Sequence, residues 1–287
     1  MTTPKEQTPQ QTNMPATATT ARTTATEVPN IPRVPWSKLG PEFAMTWGRA
    51  DPKDPQPEHM EILGISGSGK TLFCCKVCQE RMIVRKTPIV MIATKPADGT
   101  IMRLGWPITD EPSKVRKMGW CIFWPRTRKT GTARKEYQRD RIQALLDYLW
   151  VEGSNVIVVF DDLGYTQSLS PEIRDTLEMY LREGRSAGIT NVVIKQRPQG
   201  ARREAHSETN WTVAFPPKDR NDLERFAELF GDKRTFMAVF DTMSPDKHEF
   251  LIKHARTGDM FISWIDTPLV PIDPPDQGKQ GIGQYKR

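Results

Sequence analysis

GISGSGKT, residues 64–71, places three glycines, a lysine and a threonine at the spacing G-x-x-x-x-G-K-T. Glycine backbones at such positions can approach phosphate oxygens and turn N–H groups toward them, and a following helix adds the partial positive charge of its N-terminus. On this reading Gly64, Ser66, Gly67, Ser68 and Gly69 cradle the phosphates. Lys70 bridges the β- and γ-phosphates and the Thr71 hydroxyl holds Mg²⁺, so ATP and Mg²⁺ are the expected cofactors. A second motif, NVIVVFDD at 155–162, runs an apolar strand into two carboxylates. In an α/β sheet that strand end lies beside the phosphate loop. Asp161 is then the expected second metal residue, acting through water, and Asp162 is placed to polarise an attacking water. The paired acids favour hydrolysis over phosphoryl transfer to a small molecule.

Strands and helices must alternate to position these residues. HMEIL (59–63) leads into the glycines as a first strand, and Thr71 to about Arg85 reads as the helix they feed. TPIVMIAT (87–94) is apolar and β-branched throughout, as a strand buried on both faces should be. Residues 133–150 carry Ile142, Leu145, Leu146 and Leu149 on one helical face and charge on the other. SPEIRDTLEMYLREG (170–184) has Ser170 as N-cap, Pro171 at the first helical position and Gly184 at its end. TNVVIKQ (190–196) and WTVAF (211–215) read as further strands, NDLERFAELFG (221–231) as a helix, and 248–265 as a hairpin turning at Thr257-Gly258. The expected fold class is therefore α/β, with a mostly parallel central sheet flanked by helices and a C-terminal β-hairpin, and with its phosphate loop it resembles a P-loop NTPase of the RecA-like, additional-strand type.

A third stretch narrows the family. REGRSAGITNVVIKQRP (182–198) joins a helix end, a glycine, a strand and Gln-Arg-Pro. In order with GISGSGKT and VIVVFDD, it resembles the FtsK–HerA superfamily of DNA-pumping ATPases, the FtsK branch most of all. The matching residues are Arg185, Ala187, Gly188, Ile189, Gln196, Arg197 and Pro198, and ATKPADG (93–99) is similar to that family's D-P-K-x-G stretch. The resemblance spans about residues 59–230. It implies that Gln196 senses the γ-phosphate and that Arg185, with Arg182 as competitor, is an arginine supplied to a neighbouring subunit's nucleotide. It also implies a homo-oligomeric, usually hexameric, ring around double-stranded DNA. Three departures stand out: the second acid is Asp162 where the family keeps Glu, Lys195 stands where a small Thr is usual, and neither the membrane segment nor the C-terminal winged-helix reader of the cell-division members is seen. Without that reader, recognition of a particular DNA sequence has no support.

Composition is compatible with this reading. The 287 residues are 37% hydrophobic and 26% charged with a net charge of +6, enough apolar side chain for a core and a bias toward polyanionic partners. PRTRKTGTARKEYQRDR (125–141) concentrates seven Lys and Arg, and Lys195, Arg197, Arg202 and Arg203 form a second basic cluster. Both can meet DNA phosphates without reading bases. Residues 1–35, with ten Thr among the first 26, bury too little apolar surface to fold and read as a disordered tail. Residues 36–266 form the expected ATPase domain and 267–287 a second flexible tail. No apolar run is long enough to span a bilayer and no signal-peptide core precedes the domain, so no membrane insertion is expected. Cys74, Cys75 and Cys78 follow the loop at helical spacing and read as core residues in a reducing compartment. Together these readings point to Mg²⁺-dependent ATP hydrolysis that moves duplex DNA, for packaging or transfer. The expected setting is the cytoplasm, or the host cytoplasm or virion for a virus, with a capsid or transfer-complex protein as further partner. Two alternatives are an assembly ATPase of the zonula-occludens-toxin kind and a non-motor ATP-binding assembly protein.

Overall fold

The computed structural model describes residues 28–47, 58–150, 155–196 and 208–271. In chain order its elements are α1 (Trp36–Thr46), β1 (Met60–Leu63), α2 (Lys70–Arg85), β2 (Ile89–Ile92), α3 (Gly99–Met102), β3 (Ile108–Thr109), α4 (Pro112–Met118), β4 (Trp120–Phe123) and α5 (Gly131–Leu149). There follow β5 (Val156–Phe160), α6 (Leu163–Gln167), α7 (Pro171–Glu183), β6 (Ile189–Lys195), β7 (Trp211–Ala214), α8 (Arg220–Phe230), α9 (Lys233–Asp241), β8 (Phe250–His254) and β9 (Met260–Ser263). Nine strands make one sheet in the order β3-β4-β2-β5-β6-β1-β7-β8-β9. The strands from β3 to β7 run parallel, and β8 and β9 add the expected antiparallel hairpin.

Strand alternation divides the core. Ile89 and Met91 of β2 and Ile157 and Val159 of β5 face the cluster under α1 and α2, around Trp36, Phe73 and Cys74. Val90, Ile92, Val158 and Phe160 face the opposite cluster under α5 and α7, around Ile142, Leu146 and Tyr180. The two-residue period of a pleated strand sends successive apolar residues to the two helical layers, which is why these strands carry no polar face. Cys74, Cys75 and Cys78 are buried core residues, as their spacing suggested, and Cys121 is buried as well. Ser170 caps α7 by accepting from the Ile173 amide at 3.2 Å.

Several elements lack a legible signal in sequence. Helix α1 docks onto α2 through Arg81, which donates to the Ala44 carbonyl at 2.7 Å, and Trp36, which donates to Glu80 at 2.9 Å. The folded unit also runs past the expected bounds of 36 and 266. Arg33 bridges to Ile262, the Lys76 ammonium donates to the Pro268 carbonyl, and Leu269 is buried. The terminal segments 1–27 and 272–287 lie outside the described residues.

Lys195 requires a correction. It was grouped with a basic DNA-facing cluster, but it is buried and its ammonium donates to Glu61 Oε2 at 2.9 Å. In the parallel register Glu61 sits opposite Val193, two residues from Lys195 and on the same face of the sheet. Two adjacent strands thus each contribute one half of an interior ion pair. Replacing Glu61 by Ala strands a buried ammonium and should cost about 3–5 kcal/mol in urea unfolding, whereas the joint Glu61→Met, Lys195→Met change should be close to neutral. A small loss in the single variant would show that solvent reaches the pair.

Candidate nucleotide site

Parallel pairing brings the motifs to one edge. β6 lies between β5 and β1, pairing Phe160 with Val193 and Leu63 with Lys195. The phosphate loop, Asp161–Asp162 and Gln196 therefore all leave the same C-terminal edge of the sheet. Gln196 is exposed there; Arg197 and Pro198 lie outside the described residues.

The loop has the conformation its glycines permit. Gly67 has φ +78° and Gly69, the residue before α2, has φ +105°, a region that side chains with a Cβ disfavour. A Cβ built at Gly67 would meet nothing within 4 Å, so the space beside this residue is open. Ser66 is exposed, and the buried Ser68 hydroxyl has no hydrogen-bond partner. The Lys70 ammonium, itself largely buried, curls back to the Ile65 carbonyl at 2.6 Å. Burial, helped by the nearby Lys95 charge, lowers Lys70 to about 8, against the pull of Asp161 and Asp162.

Thr71 Oγ1 donates to Asp161 Oδ1 at 3.2 Å. The other Asp161 oxygen accepts from Lys95 Nζ at 2.9 Å, and the same ammonium lies 3.2 Å from Asp98 Oδ2. Burial raises the Asp161 carboxyl above its ordinary range, although the Lys95 and Thr71 hydrogen bonds oppose the shift. Burial alone would lower Lys95, but its hydrogen bond and charge interaction with Asp161 outweigh that and hold the ammonium above its ordinary value. Asp162 is half-buried and caps α6, accepting from the Tyr165 amide at 2.9 Å. Lys95 and Tyr165 were not singled out from sequence. The ATKPADG stretch was the available signal for Lys95, but nothing in it says which acid the lysine meets.

This donor set fits the expected cofactors. A hydroxyl and a carboxylate are hard oxygen ligands suited to Mg²⁺. Among the described residues no group of three or more His, Cys, Asp or Glu could hold a metal alone, so the cation would arrive with phosphate oxygens as further ligands. The orphaned Ser68 hydroxyl and the open space beside Gly67 suit a phosphate chain. Against the outer side of the loop a cleft of about 680 Å³ is walled by Phe215, Pro216, Leu223, Phe240 and Met243, with Asp241 and His248 at its polar rim. Its size and apolar walls suit a purine base.

Arg185 stands apart from this edge. It precedes β6, half-buried, and its charge acts on His59 at the opposite end of β1. The seven residues of β6 separate it from the loop by roughly 20 Å at the rise of a strand. Within one chain Arg185 and the nucleotide site do not meet. Arg182, its competitor, is exposed in the last turn of α7, on the same side.

No family model matches the chain, and no curated protein matches it. Solved structures do resemble it. The genome packaging NTPase B204 from Sulfolobus turreted icosahedral virus 2, in complex with ATP-gammaS, aligns at 14% identity with a TM-score of 0.52, over 75% of this chain and 98% of that one. The cytoplasmic domain of the Thermomonospora curvata Type VII secretion ATPase EccC aligns at 13% identity with a TM-score of 0.53, over 79% of this chain and 27% of that one. At such identity the likeness establishes the fold, which is that of the P-loop ATPases. No described helix is long and apolar enough to cross a membrane.

The lowered Lys70 value gives a pH signature. Above about 8 the amine is largely neutral in the free protein. A bound triphosphate restores the ammonium by charge pairing, so binding takes up a proton between that value and the ordinary one for lysine. Calorimetric titration with ATP in buffers of different ionisation heat should show proton uptake approaching one at about pH 9 and, once protons released by ATP itself are subtracted, none near pH 6.5. A buffer-independent heat at the higher pH would show that Lys70 keeps its charge without ligand.

Proposed function

We propose that the chain is a Mg²⁺-dependent ATPase that moves double-stranded DNA, acting as a homo-oligomeric ring. The observation that carries this reading is the convergence of Lys70, Thr71, Asp161, Asp162 and Gln196 on one sheet edge, with the Thr71 hydroxyl 3.2 Å from Asp161. Lys70 and the loop amides hold the phosphates. Thr71 and Asp161 hold the cation, which when bound neutralises charge on the transferred phosphoryl group. Asp162 has one oxygen fixed by the Tyr165 amide, which orients the carboxylate toward its role as base for the attacking water. Gln196, at the end of the strand between the two motifs, reads the γ-phosphate.

On this reading Arg185 acts between subunits of the ring. Being on the far edge, it can serve a nucleotide only if another subunit presents that nucleotide to it. The basic segment 125–141 emerges on the nucleotide edge and meets DNA phosphates. A viral genome packaging NTPase among the similar folds is compatible with a packaging role, in host cytoplasm or virion, with a capsid or transfer-complex protein as further partner.

Asn caps a helix about as well as Asp, so Asp162→Asn spares the local fold and removes the base. Turnover should fall about 100-fold or more while nucleotide affinity changes little. Long duplex DNA should raise the wild-type ATPase rate, and Lys70→Ala should abolish it; no stimulation by DNA would exclude the motor. Arg185→Ala subunits mixed into wild type should depress activity more steeply than their fraction, whereas a linear loss would remove Arg185 as an arginine acting between subunits.

A further inference from the structure

A second cleft, of about 490 Å³, opens beyond the ends of β2 and β4, between Lys95 and the loop that enters α5. Five cationic side chains line it, Lys95, Arg126, Arg128, Lys129 and Arg134, and no acidic one does. A concave site of one sign concentrates counter-ions more than the same charges spread over a convex face. Two of its cations are held in place. Arg134 donates to the Thr94 carbonyl at 2.9 Å, and the Arg126 guanidinium lies 4.0 Å over the Trp124 ring. The 19-residue helix α5 begins at the cleft and adds the positive end of its dipole.

This cleft reaches both acids of the nucleotide site. Lys95 is one link, since its ammonium sits 2.9 Å from Asp161. Gln138, buried on the cleft floor, is the other: it donates to the Thr94 carbonyl and accepts from the Tyr165 hydroxyl at 2.6 Å. Tyr165 in turn holds Asp162 through its amide.

We propose that this cleft binds a backbone phosphate of a polynucleotide and that Lys95 is shared between that phosphate and Asp161. This rests on the DNA-moving function argued above. Lys95 takes one Asp161 oxygen and Thr71 the other, so a divalent cation drawn to this carboxylate competes with the lysine. A phosphate in the cleft offers the ammonium a second anion, and the flexible lysine stem lets it move across. Asp161 is then released to the cation that arrives with ATP. Lys95 is thus a positioning residue whose charge competes with the metal. Its side chain is 41% exposed, against 1% for Asp161, so the lysine is the partner that can leave.

Binding of Mn²⁺ to the full chain, with a non-hydrolysable ATP analogue, can be followed by the electron paramagnetic resonance of free Mn²⁺, after subtracting the Mn²⁺ that the analogue, the DNA or the phosphate binds in protein-free controls. Duplex DNA should tighten Mn²⁺ binding in the wild type by about 3- to 10-fold. Lys95→Met should show that tighter binding without DNA, and DNA should add nothing. Arg128→Gln combined with Lys129→Gln, at exposed positions, should lose the DNA effect with Lys95 intact; this arm holds even if Lys95→Met does not fold. Unchanged or weaker Mn²⁺ binding in folded Lys95→Met, with duplex DNA still bound, overturns the sharing of Lys95. So does a full DNA effect in the double variant. An equal response to inorganic phosphate makes the cleft a free-anion site and overturns the polynucleotide assignment. Failure of the wild type to bind duplex DNA at all overturns the DNA-moving function and the occupant together, while the Lys95→Met result still judges the competition between lysine and metal.

Discussion

A buried carboxylate needs partners, and Asp161 is the carboxylate around which this molecule is arranged. Its residue is 4% exposed at the end of β5. Leaving such a charge unpaired would cost several kcal/mol. Two different elements supply the partners: the first turn of α2 through Thr71, and the end of β2 through Lys95. Satisfying one charge thus ties the phosphate loop, the strand that carries the acids and the strand beside it into one arrangement.

The opposite edge of the sheet is held by a separate polar set. His59 is fully buried just before β1, and its Nδ1 accepts from the Asn191 amide at 3.0 Å. Burial, aided by the nearby Arg185 charge, lowers this histidine to about 4, so it stays neutral and keeps that lone pair available at neutral pH. The Asn191 side-chain amide donates to the Tyr180 carbonyl at 2.6 Å, fixing α7 to β6. Between the two edges, the Glu61–Lys195 pair links β1 to β6 inside the layer. Polar contacts at two heights along β1 and β6 make a register slip costly, because each would strand a buried group. That register sets Gln196 and the phosphate loop at one level.

Much of this was legible in the residues. Glycine spacing, apolar runs ending in two acids, the Ser170–Pro171 start and the Gly184 end of α7 are local signals, and each corresponds to the element it announces. Strand β4 and helix α1 were less legible. WCIF is a short run with no distinctive flank, and α1 holds a Pro and owes its place to contacts with α2, 40 or so residues away. Lys195 was misjudged for a related reason. A lysine after an apolar strand reads as solvent-facing unless its partner is known, and Glu61 is 134 residues distant. Lys95 was visible within a recognisable stretch, yet its pairing with an acid 66 residues on was not.

By itself, then, the sequence determined the chemistry available here: a phosphate loop, a hydroxyl, two acids and a terminal glutamine on alternating strands and helices. Those depend on backbone conformation and short-range periodicity, which neighbouring residues dictate. Only the tertiary structure decided which charge meets which. It placed Lys195 in the core and Lys95 on Asp161, put Arg185 on the far edge, and opened the basic cleft beside the site. Those outcomes depend on strand order and register, through which burial turns distant residues into obligatory partners.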